Sequence, residues 1–266
     1  MACLAGSGGS FQHLLPPGPA RESGTSISSL RKSLLTLRPP TAPPLMNHNL
    51  FLIGDVHGCY HTFRELLGHW RPQEELLVQT GDLVDRGRFG PECVQLALEL
   101  EQQYPGRTVF LRGNHEHEML KHFGPTGPNP AWLGWGGRAT VQQYQGRPEL
   151  LQQHLGWLRQ RPFTWENDYV LVSHAGFAHT DAPLDAENMD GVLWRRGPLR
   201  NMGRRQVVGH TPTDTGAPTF DAAANVLYID TGACFGRNLS ALRLSFTGEL
   251  LGEVLTPTSL LDIVLT

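Results

Sequence analysis

The sequence predicts an α/β fold in which mixed β-sheets pack together and are flanked by helices. Short apolar, often β-branched runs stop abruptly at glycine or a polar residue, as buried strands do. Segments with helical spacing alternate with these runs, which is the pattern of layered α/β chains. The chain has 266 residues, room for one domain of about 220 with a large core.

In chain order, Leu50–Ile53 is the first expected strand, followed by a helix over Thr62–Trp70. Leu76–Thr80 is the second strand. Pro91–Tyr104 reads as a helix with Pro91 in its first turn, where a missing N–H costs nothing. Thr108–Leu111 is the third strand. Phe123–Ala131 is rich in Gly and Pro and reads as a loop, and residues 132–162 carry helical spacing and suggest a small cap or lid. Tyr169–Val172 and Gln206–Val208 are two further strands, with an acidic loop, Asp181–Asp190, between them. Leu239–Leu251 is expected to close the domain as a hairpin turned at Thr247-Gly248. No internal repeat of fixed period is present.

Each of the five strands runs directly into residues that bind divalent ions. The segments are Gly54-Asp55-Val56-His57-Gly58, Gly81-Asp82-Leu83-Val84-Asp85-Arg86-Gly87, Arg112-Gly113-Asn114-His115-Glu116, Ser173-His174-Ala175 and Gly209-His210-Thr211. One such segment is common by chance; five are not. Carboxylate, imidazole and amide oxygen suit Mn, Fe, Zn or Mg rather than thiolate-seeking ions. Two ions about 3.5–4 Å apart need a bridging carboxylate and further ligands on each side. Asp55, His57, Asp82, Asn114, His174 and His210 supply that number. Ligands at the carboxyl ends of several strands would converge on one sheet edge, where α/β folds place their sites.

In this order the motifs GDVHG, GDLVDRG, LRGNHE, HA and GHT closely resemble the PPP-type metallophosphoesterases of the calcineurin-like superfamily. The resemblance runs from Leu50 to Gly248. Tyr228-Ile229-Asp230-Thr231-Gly232-Ala233 and Trp132-Leu133-Gly134-Trp135-Gly136-Gly137 are similar to the bacterial and phage lambda-like serine/threonine phosphatase branch. That resemblance implies a four-layer sandwich of two mixed sheets flanked by helices, with a dimetal site at the sheet edge. It implies Asp55 and His57 on the first ion, Asp82 bridging, and Asn114, His174 and His210 on the second. The catalytic set implied is His115 as general acid, Asp85 orienting it, and Arg86 and Arg196 clamping phosphate beside Asn114 and His115. Trp-x-Arg spacing selects Arg196 over Arg195. Two divalent ions, Mn²⁺ foremost with Fe, Zn or Mg as alternatives, are the expected cofactors.

The residue types match the chemistry. The implied reaction is direct attack of a metal-bridging hydroxide on phosphorus, with positioning and electrostatics carrying the catalysis. Arginine holds two phosphate oxygens in one planar fork. A seryl or threonyl alkoxide is a poor leaving group and needs a proton, which His115 can supply. The expected function is a metal-dependent phosphomonoester hydrolase, foremost a serine/threonine protein phosphatase acting on phosphoprotein or small phosphoester substrates. The alternative is a symmetrical diadenosine tetraphosphatase-type hydrolase, with the Trp132–Trp135 region stacking bases. A scaffold with a dead site is the third reading, opposed by the intact ligand set. Trp132, Trp135, Trp157, Trp165 and Trp194 are otherwise core or groove walls, and Glu116 is structural rather than a ligand.

Net charge is −3, which gives no basic field for a nucleic-acid backbone. No apolar stretch is long enough for a secretory signal or a membrane span. Cys3, Cys59, Cys93 and Cys234 show no C-x-x-C spacing and are expected as thiols in a reducing compartment, the cytoplasm. Cys59 follows the first motif and is either an inert half-buried thiol or oxidation-sensitive. A monomer is expected. Residues 1–45 carry Arg21, Arg31, Lys32 and Arg38 against one acid, Glu22. They are expected to be a disordered leader, either a transit peptide or an overextended reading frame ahead of Met46, with residues 46–266 as the catalytic domain.

Overall fold

Side-chain alternation in the first strand sets the layering. Strand β1 (Asn49–Ile53) sends Leu50 and Leu52 into one buried cluster and Phe51 and Ile53 into another, because successive side chains of a strand face opposite ways. A strand buried on both faces must be covered on both. The computed structural model describes residues 48–263; the expected leader, residues 1–45, and Met46 lie outside the described residues.

The remaining strands are β2 (Glu75–Gln79), β3 (Thr108–Phe110), β4 (Thr164–Glu166), β5 (Val170–Ser173), β6 (Arg205–Val208), β7 (Thr219–Asp221), β8 (Val226–Tyr228), β9 (Asn238–Leu244) and β10 (Leu250–Pro257). The first sheet has the order β10-β9-β1-β2-β3 and the second β4-β5-β6-β8-β7. Both are mixed. β1, β2 and β3 are parallel, with Leu50 opposite Leu76 and Val78 opposite Val109, and β9 and β10 run antiparallel beside them. β5, β6 and β8 are parallel, with antiparallel β4 and β7 at the edges.

Between the sheets, Leu50, Leu52, Leu76, Val78 and Leu242 meet Val170, Val172, Val207, Leu227 and Ile229. Each such side chain contributes about 1.5–3 kcal/mol relative to exposure. The helices are α1 (Tyr60–Leu67), α2 (Gly90–Gln103), α3 (Asn114–His122), the single turn α4 (Pro130–Trp132), α5 (Arg138–Gln143) and α6 (Pro148–Leu158). They cover the outer face of the first sheet, where Phe63, Leu66, Val94, Ala97, Met119 and Leu155 pack over Phe51, Ile53 and Phe110. The layer beyond the second sheet is coil: Leu199 covers Val208, Ala224 and Val226. The α/β class, the two mixed sheets and the flanking helices are thus as expected, while among the described residues the helical layer lies on the first sheet.

The five predicted strands and both predicted helices are present within a few residues. The closing hairpin is longer than expected: β10 runs on to Pro257, pairing Thr256 with Leu239, and the turn is Ser245–Glu249. The segment read as a cap packs α5 and α6 against α2, so it is a fixed wall, and only Trp135 of it lines the central cavity. Helix α3 begins at Asn114 itself, directly after a candidate ligand turn.

Candidate dinuclear metal centre

The strand ends are turned sharply toward one another. Among the described residues six non-glycine residues have positive φ, and five of them belong to this edge: His57, Asp82, Asp85, Arg86 and His210. Each such conformation costs on the order of 1–3 kcal/mol and persists only where surrounding contacts enforce it. Close approach is part of the enforcement. A Cβ at Gly113 would overlap Asp82 Oδ1, and one at Gly209 would overlap Asp55 Oδ1, so only glycine lets neighbouring loops pass the carboxylates. Glu116 supplies the rest. Its carboxylate, fully buried, accepts the backbone N–H groups of Asp82, Leu83, Val84 and Gly113 at 2.7–3.2 Å.

Backbone carbonyls fix the imidazole tautomers. His57 Nδ1–H donates to Val84 O at 2.8 Å and His174 Nδ1–H to Thr80 O at 3.0 Å. His210 Nε2–H donates to Trp194 O at 3.2 Å. Because a carbonyl can only accept, the other nitrogen of each ring is the one turned to the centre, able to ligate once unprotonated, as metal-ligating histidines are arranged. His174 Nε2 and His210 Nδ1 lie 3.1 Å apart and both face Asn114 Oδ1, at 2.8 and 3.0 Å. Asp82 Oδ2 is 3.4 Å from Nε2 of both His57 and His174. Two carboxylate–imidazole clusters result, His57–Asp82–His115 and Asp82–His174–His210, sharing Asp82. A shared carboxylate is what a bridging ligand needs.

The electrostatics call for cations. Asp55, Asp82, Asp85, Glu116 and Asp230 are each at most 2% exposed, and buried anions persist only when paired or coordinated. Burial, with Asp230 and Asp82 nearby, pushes the Asp55 carboxyl well above its ordinary range. Burial acts the same way on Asp82, but His174, His115 and His57 outweigh it and hold that carboxyl low. Burial and the Arg86 guanidinium push His57 down, and burial with His174 does the same to His210. Burial also opposes charge on His174, but Asp82 and Asp55 prevail and raise it to about 9. Burial lifts Asp230 to about 6, and its Oδ2 has no hydrogen-bond partner. Converging ring nitrogens, buried carboxylates and an orphaned carboxylate oxygen fit divalent ions. Asp55, His57 and Asp82 would hold one, and Asp82, Asn114, His174 and His210 the other.

Asp55 stands slightly apart: Oδ1 accepts from Thr80 Oγ1 at 3.2 Å and Oδ2 from the His210 backbone at 2.9 Å. Its place in the first cluster is taken by His115. Arg86 explains this, since its Nη1 meets His57 Nε2 at 2.6 Å and its Nη2 meets His115 Nε2 at 2.9 Å. The guanidinium is the cation the chain itself supplies there.

A cavity of about 530 Å³ opens over the centre. Arg86, Asn114, His115, Arg196 and His210 line it, together with Trp135, Trp194, Met189 and Asp190. Arg196 is exposed and donates to Thr211 Oγ1 at 3.2 Å. Arg195 turns away to Asp190 at 2.6 Å. The acidic loop does border the cavity, tied to α3 by Glu187, which pairs with Lys121 and His117 at 2.9 Å each. His115 Nδ1–H donates to Asp85 Oδ2 at 2.6 Å.

Two groups escaped the sequence reading. Asp230 ends the run Val226–Ile229 and precedes Gly232, the same apolar-run-then-carboxylate signature as the other segments. Trp132, grouped above with core or groove walls and alternatively with a base-stacking surface, is core, and the unforeseen part is that it donates through Nε1 to Asp85 Oδ2 at 2.6 Å. It can stack on no ligand; Trp135 remains 44% exposed.

Residues 48–231 match the family model for calcineurin-like phosphoesterase. The chain is 31% identical over 213 residues to serine/threonine-protein phosphatase 1 of Salmonella typhimurium, covering 74% of this chain and 92% of that one. Among solved structures, a serine/threonine phosphatase of Saccharomyces cerevisiae superposes with a TM-score of 0.57 at 16% identity over 80% of each chain. A structure assigned provisionally as a diadenosine tetraphosphatase does so at 0.54 and 20% identity, covering 81% of this chain and 97% of its own. The structural matches support the fold, and the sequence matches carry the conclusion: this chain is a phosphoester hydrolase and belongs to the calcineurin-like phosphoesterase family.

Proposed function

We propose that the chain is a metal-dependent phosphomonoesterase whose preferred substrates are phosphoserine and phosphothreonine in proteins. The observation that carries this is the His115–Asp85 pair at 2.6 Å, with the other ring nitrogen facing the cavity. A proton donor at that point matters most when the departing group is a strongly basic alkoxide. The similarity to a Salmonella typhimurium serine/threonine-protein phosphatase supports the same reading.

Two divalent ions, Mn²⁺ foremost, would be held by Asp55, His57, Asp82, Asn114, His174 and His210; when bound they supply an acidified water and neutralise phosphoryl charge. The chain's own residues do the remainder. Arg86 and Arg196 both line the cavity and would grip phosphate oxygens as bidentate forks. Arg86 must leave His57 and His115 to do so, which frees His115 Nε2 to carry the proton toward the leaving oxygen. Asn114 and His115 complete the phosphate contacts. Asp85 keeps the His115 ring aligned throughout.

The second reading, dinucleoside polyphosphate hydrolysis, is favoured by one observation, the exposed Trp135 edge-on to Trp194 with ring centroids 6.0 Å apart. It offers a single accessible stacking surface. We assign the chain to the cytoplasm as a monomer, in keeping with the free thiols of Cys59, Cys93 and Cys234; no helix of the described residues is long and apolar enough to cross a membrane.

The test is a substrate panel on metal-stripped protein with Mn²⁺ restored: p-nitrophenyl phosphate, phosphoserine and phosphothreonine peptides, and diadenosine tetraphosphate. Faster turnover of the phosphopeptides is expected. A clear preference for the dinucleotide would overturn the protein phosphatase reading.

A further inference from the structure

Asp85 lies at φ +73° on the turn after β2, a short link that would not by itself orient a carboxylate. Three donors orient it. His115 Nδ1 and Trp132 Nε1 both reach Oδ2 at 2.6 Å, and Thr140 Oγ1 reaches Oδ1 at 2.5 Å. Among the described residues no other group hydrogen-bonds this side chain, and all four residues are buried, none more than 2% exposed.

Trp132 and Thr140 come from outside the ligand turns, from the segment packed beside the first sheet. Trp132 closes α4, its backbone N–H held by Asn129 Oδ1 at 3.2 Å. Its ring is enclosed by His122 and Phe123, with centroids 4.8 and 6.2 Å away, and by Gly137, where any Cβ would strike the indole. The segment Leu133–Gly137, kinked at Gly136, then separates Trp132 from α5, which carries Thr140. That kink carries the chain past the carboxylate so that indole and hydroxyl reach different oxygens. Gly136 at φ +121° lies against Asp85 and the Arg86 backbone, so the same kink also seats the arginine.

We propose that Trp132 and Thr140 are positioning residues for proton delivery by His115, acting through Asp85. With both oxygens engaged, the carboxylate cannot rotate away from Nδ1, and the His115 ring keeps its other nitrogen on the cavity. This rests on the reading of His115 as the leaving-group acid.

The test compares kcat for a phosphoserine peptide and for p-nitrophenyl phosphate on Mn²⁺-loaded protein. Trp132→Phe keeps the ring and removes the donor; Thr140→Val keeps the shape and removes the hydroxyl. Each is expected to lower kcat on the seryl ester roughly tenfold more than on the aryl ester, whose leaving group needs no proton. His115→Asn should show the same preference more strongly, and adding Trp132→Phe to it should cost nothing more, because residues acting as a unit are non-additive. Melting temperatures identify variants that have lost the fold, and the second variant then carries the test. Equal losses on both esters, or an undiminished further loss in the His115→Asn background, would overturn the inference. If His115→Asn itself affects both esters equally, the acid role falls and this inference with it.

Discussion

The Glu116 carboxylate accepts the backbone N–H of Asp82 at 2.8 Å. That one bond ties the residue shared by both clusters to the first turn of α3, and three more amides reinforce it. Glu116→Gln keeps the shape but turns a donor toward buried N–H groups. It is expected to destabilise the fold by about 2–4 kcal/mol and to weaken metal binding, measured by urea unfolding and by metal titration. Wild-type values for both would show that the Asp82 turn holds without it.

Asp82 contacts both clusters and should be the least replaceable ligand. Asp82→Asn is expected to lower kcat by roughly 100-fold or more, since the amide cannot neutralise two cations, while circular dichroism remains native. Near wild-type turnover would remove its bridging role.

Metal binding should expel a proton. His174 is raised to about 9, so at pH 7.5 its ring is charged, and an ion at Nε2 must displace that proton. Release of about one proton is expected on loading stripped protein with Mn²⁺, read by calorimetry in two buffers of different ionisation enthalpy. Identical heats in both buffers would contradict the arrangement.

His154 provides a pH prediction away from the centre. Its Nδ1 meets the Tyr144 hydroxyl at 2.7 Å and its Nε2 meets Gln95 Oε1 at 3.0 Å. Burial pushes it from 6.5 down to about 4. The folded state therefore binds a proton less readily than the unfolded chain, and its stabilisation is present above pH 6.5 and lost as pH falls toward 4. The urea midpoint of the wild type should drop more between pH 7 and pH 5 than that of His154→Gln. Equal drops would show that His154 does not carry this loss.

The strands and the candidate ligand turns at their ends are legible because both signals are local. An apolar run followed by Gly and Asp, as at Ile53-Gly54-Asp55, states a buried strand and a turn within a few residues. The partners of Asp85 are not. Trp132 and Thr140 lie 47 and 55 residues further along the chain, and their meeting depends on a kink at Gly136 that side-chain periodicity does not encode. Asp230 carried the local signature, but its orphaned oxygen emerges only when the two sheets bring β8 beside β1. The hairpin was read too short because Leu250–Pro257 is mostly exposed on its outer face, so alternation there is weak.

The most direct test of a two-ion centre sharing Asp82 is the metal content of Mn²⁺-loaded protein after exhaustive gel filtration, followed alongside phosphatase activity. Two ions per chain are expected in the wild type, with activity rising as both sites fill, and fewer than two in Asp82→Asn. Full activity with one ion or none bound would contradict it.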